Sequence, residues 1–144
     1  MFSKACEYGI RATIFIAVNS LENRRVSPKE IAKEIDSPEA FTAKILQALA
    51  RNHVVNSIKG AHGGFEIDIV NIKKIKLSDI VVAIDGDQIY ESCGIGLHVC
   101  NDDSPCPMHQ KFKSIRAELK HMLESTSLEE LATDIELGKA LLKR

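Results

Sequence analysis

The chain has 144 residues, 44% apolar and 27% charged, with a formal net charge of −1. That size fits one domain with room for a small appendage, and the composition excludes a disordered chain. The early apolar run from Ala12 to Val18 is far too short to cross a bilayer, and no basic leader or small-residue cleavage site accompanies it, so a cytoplasmic protein with no membrane partner is expected.

The small net charge conceals an asymmetry. Residues 1–77 carry 12 Lys and Arg against 8 Asp and Glu, whereas residues 78–144 carry 7 against 12. A basic front half joined to an acidic rear half predicts that only the front meets a polyanion.

Over residues 3–20, Ala5, Tyr8, Ala12, Phe15, Ile16 and Val18 recur at mixed three- and four-residue spacing, which predicts a helix buried on more than one side. Ser27, Pro28 and Glu30 then give a start signal: a capping serine, a proline suited to the first helical position, and the glutamate of a capping box. Ile31, Ala32 and Ile35 form the inner face of that helix. A second Ser-Pro pair, Ser37 and Pro38, opens another helix with Phe41, Ile45, Leu46 and Leu49 inward and Glu39, Thr42, Lys44, Gln47 and Arg51 outward. Two short capped helices so close together are the sequence form of a helix-turn-helix.

Two β-prone runs, VVNSI (54–58) and FEIDIV (65–70), flank the glycine-rich KGAHGG (59–64) and predict a hairpin. A helix-turn-helix followed directly by a hairpin makes a winged helix. LSDIVVAIDG (77–86) predicts a short helix ending at Gly86, and the next twenty residues have no apolar period. From Pro107 to about Thr126 the helical period returns, with Phe112, Ile115, Leu119, Met122 and Leu123 on one stripe. Ser127 and Glu130 form another capping box before a final short helix. A second copy of the chain is the simplest cover for that stripe, at ~25 cal/mol per Å² of apolar area removed from water; folding back on the first helix is the alternative. The expected fold is mainly α with a small β-hairpin. It comprises a winged helix-turn-helix domain over 1–86, a cysteine-containing sensor loop over 87–106, and a dimerisation helix with a C-terminal tail over 107–144.

Three of the four cysteines lie within fourteen positions, as Cys93-x6-Cys100-x5-Cys106, and His109 follows three places later. In a reducing compartment such a cluster favours metal binding or redox sensing over a structural disulfide. Thiolates select zinc, copper(I) or iron–sulfur clusters. The closely paired C-x2-C signature of zinc sites is absent, and wide spacing on a loop suits an object larger than one ion. Zinc, a metal-free thiol–disulfide switch and thiols with no sensing role stay open. Cys6 reads as a small core thiol.

Taken together, these segments resemble the Rrf-two family of bacterial winged-helix regulators, which includes IscR, NsrR and RsrR. The resemblance runs from about Ser3 to Ala132 and rests on SKACEYGIRA, VSPKEIAKEI, FTAKILQALARNHVVNSIKGAHGGF, KLSDIVVAIDG, CPMH and SLEELA. It implies a homodimeric repressor or activator bound to a pseudo-palindromic site on double-stranded DNA and responsive to iron–sulfur status, nitric oxide or redox poise. Thr42, Lys44 and Gln47 would offer side chains to base edges, while amides near Ser37 and Glu39 would meet a phosphate. Phe41 stands where a tyrosine is common. On the wing, Lys59, Gly60 and His62 would approach the backbone or minor groove; Lys59 replaces the usual Arg, and Ala61-His62 the usual Pro-Gly.

Members that hold clusters use three cysteines here, normally with x5 and x5 gaps. IscR-like members add a histidine at the position of His109 and carry [2Fe–2S], the favoured reading. NsrR- and RsrR-like members use an acidic residue from the partner's first helix, matched by Glu7; the NsrR pattern implies [4Fe–4S]. His98 is a weaker third option. Such a cluster can be lost in aerobic preparation. No nucleophile–base pair, phosphate loop or paired carboxylate suggests an enzyme. The rivals from another class are a winged-helix electron carrier and a protein-interaction module.

Overall fold

The structure is a computed structural model that describes residues 1–143. Helix α1 (Lys4–Leu21) begins where Ser3 accepts a hydrogen bond from the Cys6 N–H at 3.0 Å. It is the central element, touching α2, α3, α4, α5, α8 and β2, which explains why apolar residues occupy more than one of its sides. Helix α2 (Pro28–Glu34) carries both halves of its capping box: Ser27 Oγ accepts from the Glu30 N–H at 3.2 Å, and Glu30 Oε2 accepts from the Ser27 N–H at 2.8 Å. Caps of this kind contribute about 0.5–2 kcal/mol.

Helix α3 (Glu39–Arg51) starts differently. Its N-cap is Pro38, which makes no side-chain cap, so the two Ser-Pro pairs are not equivalent. The sheet is also shorter than the two β-prone runs suggest. Strand β1 (Asn56–Ile58) pairs antiparallel with β2 (Gly64–Glu66), in the register Ser57↔Phe65. The FEIDIV run leaves the sheet after Glu66, because Asp68 turns the chain into α4 (Ile69–Lys74). This helix, a turn and a half long, carries too little apolar period to be seen in the sequence. Val26 exchanges two hydrogen bonds with Phe65, at 3.1 and 2.8 Å, and so adds a third strand one residue long.

Helix α5 (Leu77–Asp85) stops at Gly86, whose φ is +72°. The region expected as loop contains a single helical turn, α6 (Gln88–Glu91), before irregular chain runs to α7 (His109–Ser125). The last helix, α8 (Leu128–Glu136), has one side-chain cap, Ser127 Oγ accepting from the Glu130 N–H at 3.1 Å, rather than a reciprocal box. It packs on α1 and α4 and buries Leu128 and Ala132 completely. The α7–α8 joint is stitched to the α4–α5 joint by two backbone bonds of 2.9 Å, Leu77 N–H to Thr126 and Leu128 N–H to Ile75. Residues 128–136 therefore belong to the same core as the winged helix.

Helix α7 packs mainly on α5 and α6 of its own chain. Its apolar stripe divides. Leu123 is fully buried and Phe112 and Leu119 are half-buried, whereas Ile115 is 58% and Met122 43% exposed. The central core comprises Ile16, Ile31, Ile35, Leu46, Leu49 and Ile80, each with no exposed surface and each contributing about 1.5–3 kcal/mol by burial. No helix among the described residues is long and apolar enough to cross a membrane.

Candidate functional site

Two groups of residues stand out on this scaffold. The first surrounds α3. Glu39, Lys44, Gln47 and Arg51 are exposed along one face of the helix, as expected. Thr42 is not among them: it is fully buried. Its hydroxyl lies 3.0 Å from the Pro38 carbonyl, to which it donates, and 2.8 Å from Ser37 Oγ. With no side-chain cap at Pro38, Thr42 fastens the first turn of α3 from within, and a hydroxyl so engaged is not presented to a base edge. Ser37 is half-buried in the same contact.

Phe41 is half-buried and meets the Tyr8 ring edge-on, at 5.7 Å between centroids and 82° between planes. Over that Tyr8 ring lie the Arg11 guanidinium at 4.9 Å and the Lys4 ammonium at 5.4 Å. The start of α3 thus adjoins a basic, aromatic patch from α1 that the sequence reading left out. The signal was present, since positions 4, 8 and 11 share one helical face, but it was masked by the apolar residues around it.

Lys59, Gly60 and His62 are exposed at the hairpin tip. Arg25 braces that tip, with Nε donating to Glu66 at 2.8 Å and a terminal nitrogen donating to the His62 carbonyl at 3.2 Å. The wing's steric demand falls on its last two glycines. A Cβ at Gly63 would stand 2.1 Å from the Ile58 carbonyl oxygen, and one at Gly64 would stand 2.7 Å from that of Val26. Backbone atoms cannot swing aside as a side-chain end can. Gly63→Ala is therefore expected to cost about 1–3 kcal/mol in urea unfolding, whereas Ala61→Ser at the exposed tip stays within about 0.5 kcal/mol.

The second group is the irregular chain before α7. Cys93, Cys100 and Cys106 are all free and partly exposed. Their sulfurs do not converge. Cys93 Sγ and Cys106 Sγ lie 3.9 Å apart, while Cys100 Sγ lies 3.4 Å from His109 Nδ1. Among the described residues no three of His, Cys, Asp and Glu gather closely enough to hold one metal ion.

His109 is 4% exposed, and its Nε2–H donates to Asp102 Oδ1 at 3.0 Å. A carboxylate can only accept, so Nε2 carries a proton, and Nδ1 is the nitrogen that faces the Cys100 sulfur. Lys113 donates to both Asp102 oxygens at 2.8 and 2.7 Å. These bonds from Lys113 and then His109 hold the Asp102 carboxyl below its ordinary range. Arg116 donates to Cys100 Sγ at 3.4 Å and to the Ser92 carbonyl at 3.1 Å, tying the loop to α7. Asp102, Lys113 and Arg116 escaped the sequence reading because charged residues in a loop and on a charge-rich helix look solvated.

Backbone N–H groups of Ile95 and Leu97 hold the Cys93 thiol below its ordinary value, and Cys106 adds to the effect. Cys6 is the opposite case: burial first, then Asp85, pushes its thiol up to about 12, as suits an inert core residue. Glu7 is exposed and paired with Lys4 at 3.1 Å. His98 is exposed and lines the cleft of about 1200 Å³ that also contains Cys100, Asp102 and His109. Cys93 lines a neighbouring cavity of about 710 Å³ with Ser3, Asp85, Phe112 and Arg116. Asp85 there accepts from both the backbone N–H and the hydroxyl of Ser3, at the first turn of α1.

Comparison with known proteins gives a consistent result. Residues 2–134 match the family described as Rrf2, iron-dependent transcriptional regulator. An HTH-type transcriptional regulator of Aquifex aeolicus (strain VF5) is 31% identical over 133 residues, covering 91% of this chain and 90% of the relative. CymR, the global cysteine regulator of B. subtilis, shares 25% identity at a TM-score of 0.73, with 92% and 96% of the two chains covered. T. potens IscR superposes at a TM-score of 0.75 over 97% of this chain and 91% of its own, and its 20% identity makes that a likeness of fold. The chain belongs to the Rrf2 family of winged helix-turn-helix regulators, and it is a transcription regulator rather than an enzyme.

Proposed function

We propose that the protein is a homodimeric DNA-binding regulator whose loop carries a [2Fe–2S] cluster, with Cys93, Cys100, Cys106 and His109 as the residues that would hold it. The observation that carries the cofactor reading is the division of the four donors into two pairs. Two ligands ~2.3 Å from one tetrahedral metal stand about 3.8 Å apart, and the Cys93–Cys106 and Cys100–His109 separations of 3.9 and 3.4 Å are close to that value. A single zinc ion would need all four donors around one point, which the loop does not offer. When bound, such a cluster supplies an oxidisable centre that nitric oxide or oxygen can destroy. The protein's part is to orient His109 through Asp102, to neutralise sulfur charge with Arg116, and to hold the loop against α7.

The DNA reading assigns Lys44 and Gln47 to base edges, with the Phe41–Tyr8–Arg11 patch, the amides at Ser37 and Glu39, and the wing residues Lys59, Gly60 and His62 against the backbone. Ile115 and Met122, exposed on α7, would be covered by the second copy. The loop adjoins Ser3 and Asp85 through the cavity that includes Cys93, and α1 reaches α3 through Tyr8 and Phe41. A change at the sulfurs would therefore fall beside the cavity that borders the start of α1, the helix whose Tyr8 touches α3.

The test is anaerobic purification with absorption, iron and sulfide analysis, followed by DNA binding across a salt series. About two irons and two sulfides per chain and a steep loss of affinity with salt are expected. Colourless protein with stoichiometric zinc would overturn the cofactor, and a salt-independent protein partner in place of DNA would overturn the regulator's mode of action.

A further inference from the structure

We propose that Cys93 and Cys106 form a reversible intramolecular disulfide in the metal-free protein, which gives the loop a second, thiol-based input. The proposal rests on the reading of residues 87–106 as a sensor loop, but its chemistry requires only these two thiols. Their sulfurs are already in contact at 3.9 Å, so bonding at about 2.05 Å asks for a closure of roughly 2 Å. Both residues are partly exposed, and both lie in chain with no helix or strand to resist that movement. Cys100 is engaged elsewhere, held by His109 and Arg116 at 3.4 Å each. The loop thus sorts three equivalent-looking cysteines into one reactive pair and one occupied single.

The oxidant is hydrogen peroxide. One thiolate of the pair attacks a peroxide oxygen, the O–O bond breaks, and the departing hydroxide takes up a proton to leave as water. The sulfenic acid so formed is attacked by the second thiolate; the S–S bond forms, the S–O bond breaks, and a second water leaves with the remaining proton. Two thiols lose two electrons and one peroxide gains them, and either cysteine can attack first with the same product. The bond withdraws two of the four donors, so the oxidised protein is closed to metal until a dithiol reduces it.

The test uses the full chain, reduced and stripped of metal with a chelator, then exposed to hydrogen peroxide, alkylated and mapped by peptide mass spectrometry. The expected product is a single Cys93–Cys106 linkage, two hydrogens lighter, with Cys100 alkylated and dithiothreitol restoring both thiols. Cys100→Ser should keep the linkage, while Cys93→Ser and Cys106→Ser lose it. A linkage through Cys100, a bond between chains, or direct passage to sulfinic acid overturns the proposal. The two readings fail separately: protein that binds iron but never forms the bond refutes only this one, and protein that forms the bond but takes up no iron refutes only the cluster.

Discussion

Replacing Lys44 with alanine should weaken operator binding roughly 30- to 20,000-fold. A base-edge contact is worth about 1–3 kcal/mol, and a two-fold dimer loses it once in each half-site, so the change doubles to about 2–6 kcal/mol. The fold should survive, because Lys44 is exposed on α3. Fluorescence anisotropy on operator and random duplex separates two roles. If Lys44 reads a base, the loss is confined to the operator and specificity relaxes at one position per half-site. If it meets a phosphate, binding to both duplexes falls and the salt slope shrinks by about two for the dimer. Lys111→Ala, an exposed cation on α7 far along the chain from the reading head, is the control. Equal affinity for wild type and Lys44→Ala would remove α3 from the interface.

What could be read from sequence was whatever is decided within a turn or two of chain. Ser27, Pro28 and Glu30 settle the start of α2 among themselves, and Gly86 ends α5 by its own backbone freedom. Ser37-Pro38 looks like the same signal, yet the serine is drawn to Thr42, five residues on, and the cap is never made. Thr42 itself was misplaced because a threonine at the edge of an apolar stripe suits either side. What decides is that the Pro38 carbonyl and Ser37 hydroxyl satisfy it inside. The α7 stripe was correctly found, but a period cannot tell which apolar residues meet their own chain. Leu123 and Leu119 pack into the core and the Phe112 ring lies against Gly94 of the loop, while Ile115 and Met122 stay exposed.

The sulfur site shows the same division more sharply. Its three thiols and its histidine were legible as candidates from residue type and spacing. Their sorting into pairs was not, because it follows from where the chain enters α7. His109 is the first residue of that helix, Lys113 and Arg116 follow on its next turns, and the three reach back to Asp102, Cys100 and Ser92. None of those contacts is a motif. Each depends on the irregular segment folding over the helix that follows it.

Asp102 is where that arrangement is most exposed to test. With the proposed cluster bound through His109, Asp102→Ala should lower its retention about 10- to 100-fold, the usual cost of removing an outer partner of a ligating histidine. His109 is nearly fully buried, so loss of the carboxylate leaves its Nε2–H with no acceptor and frees the proton to move to Nδ1, the nitrogen that faces Cys100. Asp102→Asn keeps an acceptor oxygen but gives up the charge that Lys113 shares, and should fall between alanine and wild type. Lys113→Ala should matter least, since half of that side chain is in solvent and exposed ion pairs contribute about 0–1 kcal/mol. The measurement is iron retained per chain against a competing chelator under anaerobic conditions, with circular dichroism to verify the fold. If Asp102→Ala keeps its iron as wild type does, His109 is not a ligand. The loss should then pass to Glu7→Gln, whose carboxylate is exposed on α1 and free to reach a second subunit once it parts from Lys4.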